Sequence, residues 1–105
     1  MSLEQKINNL ETDLHIMGTL VLDSLVSAVR ALEDKDTAKA SEVMDKDDEI
    51  DDAYMKIDQD WFELMATEQP VASDLRLSTS ILQASLHLER LGDLSVYLGK
   101  TTHEI

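Results

Sequence analysis

ELMATEQPVASDLRL, Glu63 to Leu77, holds the one proline of the chain and separates two segments with helical periodicity. A proline pushes the residue before it out of the α region and itself suits a first helical position. One helix therefore ends near Gln69, and the next runs from about Val71 toward Gly99, a reasonable C-terminal stop. Backwards from the turn, apolar residues recur at Leu64, Trp61, Ile57, Tyr54 and Ile50, then at Val43 and Ala40. Between Ile50 and Val43, where the three-and-four spacing asks for an apolar residue, stands Asp47. Forwards, the stripe reads Leu75, Thr79, Leu82, Leu86, Glu89, Asp93 and Val96, so two consecutive positions are acidic.

A third helix precedes these two. Leu3, Ile7, Leu10, Leu14, Met17, Val21, Leu25, Ala28 and Leu32 keep the same period, and a second stripe of Leu22, Val26 and Val29 widens the apolar face, as expected of a helix with two neighbours. The pattern breaks at EDKDT, Glu33 to Thr37, where Asp36 or Thr37 suits the N-cap of the following helix. Helices of about 30 residues, each roughly 45 Å long and joined by short turns, must be antiparallel neighbours. The expected fold is all-α, an up-down-up three-helix bundle over residues 1–105.

Residues equally far from Pro70 lie at about the same height in such a bundle. The midpoints of Asp47 to Asp51 and of Glu89 to Asp93 are both 21 residues from Pro70, so the two pairs should face each other across helices two and three. Acids at i and i+4 stand one turn apart on one face and repel unless something positive lies between them. A cation held by several oxygens would relieve the repulsion, which makes Asp47, Asp51, Glu89 and Asp93 candidate metal ligands. The competing reading is plain. Asp47 and Asp51 lie in an acidic helix and suit a solvated face, while Arg76 or Arg90 could pair with Glu89 and Asp93 as structural ion pairs. Gly92 removes a side chain where the last helix meets a neighbour or an ion.

Other chemistry is poorly supported. The net charge of −13 repels phosphate backbones and attracts cations or a basic partner surface. Without cysteine there is no disulfide and no thiolate metal site, which fits a reducing compartment. The longest strongly apolar run is three residues, as at Leu20 to Leu22, so no transmembrane span or secretory signal is readable and a cytoplasmic protein is the default. DKDDEID, Asp45 to Asp51, lacks the glycine of a calcium loop, and no glutamate is followed by histidine three places on, as a di-metal oxidase requires. His15 and His87 flank stripe residues, and His103 falls in an expected frayed tail. Met17, Met44, Met55 and Met65 read as packing or interface residues. No nucleophile with its base and no phosphate loop is visible, so the chain is not expected to be an enzyme.

QPVASDLRLSTSILQASLHLERLGD, Gln69 to Asp93, resembles the signature of the PhoU family of phosphate-uptake regulators. DDEID, Asp47 to Asp51, is similar to that family's first acidic motif, and Met17-Gly18 also fits. The resemblance implies a cytoplasmic, all-helical negative regulator of phosphate-starvation signalling that connects the phosphate ABC transporter with a sensor histidine kinase. It also implies iron or zinc held by paired Glu/Asp-x-x-x-Asp motifs, which fall here on Asp47, Asp51, Glu89 and Asp93. Typical members carry two three-helix repeats where this chain has one. It is then either a half-length member that forms a homodimer to rebuild the architecture, or a fragment. Outside the family reading stand a metal-free acidic adaptor and, more remotely, a metal-dependent hydrolase.

Overall fold

The computed structural model describes all 105 residues, which form an up-down-up bundle without strands. Helix α1 spans Leu3–Asp34, α2 Thr37–Asp45, α3 Asp47–Glu68 and α4 Ala72–Glu104. Together α2 and α3 make the descending arm, and the rod measures 51 × 18 × 16 Å. The core runs through Ile7, Leu10, Met17 and Val21 of α1, Ile50, Ile57 and Leu64 of α3, and Ile81 of α4. At the end where α2 replaces α3 the buried residues become small: Ala28 and Ala31 in α1, Ala40 in α2, and Gly99 in α4.

Local chemistry sets the helix ends. Ser2 opens α1 with a capping box: its Oγ accepts from the Gln5 backbone N–H at 3.1 Å, and its own N–H donates to Gln5 Oε1 at 2.9 Å. The α1 exit is a Schellman turn, with the Asp36 N–H on the Ala31 carbonyl at 2.8 Å and the Lys35 N–H on the Leu32 carbonyl at 3.4 Å. Lys35 occupies the left-handed position usually given to glycine, at φ 52°. Of the two N-cap candidates for α2, Asp36 serves, its Oδ1 accepting from the Lys39 N–H at 3.0 Å.

Four expectations change. The second arm is not one continuous helix: it breaks at Lys46, where the Glu49 N–H reaches back to the Lys46 carbonyl at 3.0 Å, only three residues away. The break turns Asp47, Asp48 and Glu49 into the first turn of α3, where the positive end of the helix dipole favours acids. Pro70 sits not at the first helical position but in the linker, between a left-handed Gln69 and an extended Val71. Gly99 does not stop α4. It lies inside the helix, where a Cβ would meet Met44 Cγ at 3.1 Å and the Ala40 carbonyl oxygen at 3.2 Å, so its bareness admits α2. His103 consequently lies in the last helical turn, its Nε2 3.0 Å from Ser41 Oγ.

The fourth change concerns which face of α4 is inward. The buried residues are Ser78, Ile81, Ser85, Gly92, Ser95, Gly99 and Thr102, mostly small, while Leu75 and Leu86 remain 40% exposed. Small residues at Ser78, Ser85, Gly92 and Gly99 recur every seven positions, the period of a helix supercoiling along its neighbours, and Gly92 and Gly99 face Ile50 of α3 and Met44 of α2. Their hydroxyls are satisfied within the helix, as in Ser85 to the Leu82 carbonyl at 2.6 Å and Thr102 to the Leu98 carbonyl at 2.9 Å. The stripe of large residues thus flanks this seam. In α1 the main stripe packs inward and the helix has both α4 and the α2–α3 arm as neighbours, but Leu22, Val26 and Val29 stay exposed. By length and composition alone α1 is apolar enough to cross a membrane, although no run within it exceeds three strongly apolar residues.

Candidate metal centre

Asp47 begins α3 directly after the break, and Asp51 follows one turn later; Glu89 and Asp93 occupy successive turns of α4. The two helices meet at Gly92. A Cβ there would lie 3.1 Å from Ile50 Cγ2, so the missing side chain makes room for the Ile50 methyl, while Asp47 Oδ1, at 3.7 Å, stands at ordinary contact distance. Of the two roles open to Gly92, close packing against a neighbouring helix is the one its contacts show. Asp47, Asp51 and Glu89 are half-buried, and Asp93 is exposed at the rim.

The electrostatics agree with the geometry. Burial, then a hydrogen bond with Asp51, then the charges of Asp51, Asp93 and Asp47 push the Glu89 carboxyl up to about 7. Burial, followed by Asp51, Asp93 and Asp48, also raises Asp47 above the ordinary carboxylate range. The acids from the two motifs therefore act on one another across the helix pair, as the equal distances from Pro70 require. No cation offsets them. The ion pairs of the molecule are Lys6–Glu68 and Lys56 with Asp13 and Asp60, and neither Arg76 nor Arg90 joins the acidic group.

Two oxygens in this group are buried without any partner: Asp47 Oδ1 on α3 and Glu89 Oε2 on α4. Buried carboxylate oxygens ordinarily find a donor or a cation, since leaving one bare costs about 1–3 kcal/mol or more. An all-oxygen donor set suits hard or borderline cations. No three Asp, Glu or His side chains form a closed ligand shell as they stand. His15 and His87 are exposed and take no part. Sequence reasoning passed over Asp48, whose charge bears on Asp47, because nothing distinguishes it from the other acids of its helix. It also passed over Ile50 as the residue seated on Gly92.

A model of the PhoU domain matches residues 14–102. The chain belongs to the PhoU family. Relatives in the family include a phosphate-specific transport system accessory protein PhoU homolog of Pseudomonas aeruginosa, 39% identical over 88 residues that cover 84% of this chain and 36% of that one. PhoU homolog 1 of Thermotoga maritima is 35% identical over 97 residues, covering 92% and 42%. The crystal structure of the phosphate transport system regulatory protein PhoU from Streptococcus pneumoniae matches with a TM-score of 0.92 at 30% identity, over 99% of this chain and 49% of that one. The present chain thus spans about two fifths of the length of these curated PhoU relatives and about half of the solved PhoU chain.

Proposed function

We propose that this chain is a non-enzymatic, cytoplasmic regulatory unit of phosphate uptake, a negative regulator of phosphate-starvation signalling. In this reading it contacts the phosphate ABC transporter and a sensor histidine kinase, works as a homodimer, and is adjusted by a bound metal ion. Family membership supports the regulatory part, because the matching relatives are named as accessory proteins of the phosphate-specific transport system. The whole-protein activity of relatives more than twice as long is carried over here only as part of the proposal.

The observation that carries the metal is the pair of unpartnered buried oxygens, Asp47 Oδ1 and Glu89 Oε2, contributed by different helices. Asp47 and Glu89 would hold iron or zinc, with Asp51 and Asp93 completing the shell. A cation there would replace repulsion by attraction between α3 and α4 and would steady the break at Lys46. Its effect on a partner would then pass through the shape of the descending arm.

Anaerobic titration of the purified chain with Fe²⁺, and a parallel titration with Zn²⁺, tests this. The expected result is saturable uptake that weakens by about tenfold or more in Asp47→Asn and Glu89→Gln. Unchanged uptake in both variants would remove the site. The absence of a ready-made ligand shell favours one competing reading, an acidic adaptor that needs no metal. Partner binding that survives exhaustive chelation would establish that alternative.

A further inference from the structure

Two stripes that the bundle leaves half open run from the acidic centre toward Pro70. On α3, Asp51, Met55, Asp58, Phe62 and Met65 follow one another at steps of four and three, so they share a face. On α4, Leu75, Thr79, Leu82 and Leu86 lead at the same steps to Glu89. The hydrogen bond between Asp51 and Glu89 joins the two stripes at one end. Gly92 against Ile50 sets the antiparallel register, which brings Met55 level with Leu86 and Phe62 level with Thr79. Leu75 stands a turn nearer Pro70. Between the helices runs a groove whose floor is the half-buried Met65 and Leu82, both packed on the core. Its walls are open: Met55 is 66% exposed, Phe62 68%, and Leu75 and Leu86 40% each.

A phenylalanine and a methionine two turns apart, roughly 10 Å, with leucines across from them, are the lining that receives the apolar face of an amphipathic helix. From Asp51 to Met65 the groove is about 21 Å long, room for four turns of such a helix. Charge then selects the partner. Asp58 lies between the two anchors, and the exposed Asp48 and Asp52 extend the acidic face beyond Asp51. Lys56 is the one basic residue of α3 and is already held by Asp13 and Asp60, while Arg76 and Arg90 of α4 pair with none of these acids. A second copy seated here would set Asp51 and Asp58 against themselves across a two-fold axis, and an anionic membrane would meet the same repulsion. A cationic helix gains from both the apolar walls and the acids.

We infer that the outer α3/α4 groove docks a basic amphipathic helix of a partner protein. Its aliphatic side chains pack between Met55, Phe62, Leu75 and Leu86, and its lysines or arginines reach Asp58 and the acids beside Asp51. The inference rests on the reading of the chain as a regulator that works by protein contacts, and it names the surface and the chemistry of what binds there.

The probe is a peptide of about 18 residues with leucine and lysine at helical spacing, and the control replaces each lysine by glutamate. Trp61, the single tryptophan, precedes Phe62, so its emission reports on the groove. The leucine–lysine peptide should bind saturably and shift that emission to shorter wavelength, and the control should do neither. Phe62→Ser should weaken binding by about tenfold with helicity unchanged, because the side chain is exposed in the free chain. Leu22→Ser, at a 61% exposed site on α1, should leave binding as it is. Asp58→Asn should weaken it, and Asp23→Asn, which removes the same charge from α1, should not.

Absence of binding overturns the proposal, as does equal weakening by Phe62→Ser and Leu22→Ser or by the two aspartate variants, since the peptide would then be following net charge. Phosphatidylglycerol vesicles that displace the peptide, or a wild-type dimer that Phe62→Ser dissociates, also overturn it and give the groove to a membrane or to a second copy. Fe²⁺ uptake is titrated on the same proteins without peptide. A wild type that takes up Fe²⁺ but binds no peptide loses the groove and keeps the metal centre; one that binds the peptide through Phe62 but takes up no Fe²⁺ keeps the groove and loses the metal.

Discussion

Glu89 keeps its proton up to about pH 7 in the folded chain, chiefly through burial and then through Asp51 and its neighbours, whereas a freely solvated glutamate releases it near 4.5. Between those values the folded state binds more protons than the unfolded one. The contribution of Glu89 to stability is therefore fully present below about 4.5 and is lost as pH rises through about 7. Asp47 is raised too and adds in the same direction. The metal-free protein should show a melting temperature that falls between about pH 5 and pH 8, and Glu89→Gln should flatten that fall. Equal slopes for wild type and variant, followed by circular dichroism, would disprove the assignment. Acids placed where an apolar stripe asks for leucine were legible in the sequence as interruptions. Their common height was legible because chain length on either side of Pro70 measures distance along a rod. The bare oxygens were not, since only side-chain placement reveals them.

At the scale of elements, the large aliphatic residues of α1 and α3 announced their inward faces, because burial of such side chains dominates any competing preference. The inner face of α4 stayed hidden. Ser78, Ser85, Gly92 and Gly99 carry no hydrophobic signal, and their role follows from the close approach of a neighbour. The break at Lys46 was equally silent, as neither glycine nor proline marks it. Lys35 illustrates a different kind of silence: a Schellman turn in which an L-residue takes the left-handed conformation. That conformation costs roughly 1–2 kcal/mol, while glycine's greater freedom in the unfolded chain takes back about 0.5–1. Lys35→Gly is expected to stabilise the bundle by about 0.5–1 kcal/mol, measurable as a raised urea midpoint with unchanged m-value. A lowered midpoint would mean that the lysine contributes more than the turn costs.

Over the whole molecule, 22 acids face 9 lysines and arginines, and few of the latter are paired. Screening should therefore help the net charge more than it harms the ion pairs. Raising sodium chloride from about 20 mM to about 0.5 M is expected to increase the melting temperature by a few degrees at neutral pH. A decrease, seen in the same thermal scans, would show that local pairs outweigh the global surplus. The same rod has one internal joint of an unusual sort. The buried hydroxyls of α4 are bonded within their own helix, and no side-chain hydrogen bond joins α1 to α4. Sliding α4 lengthwise along α1 would break no polar contact between them. What holds α4 in place lengthwise is relief against the descending arm: the Ile50 and Met44 side chains lodge where Gly92 and Gly99 carry no Cβ.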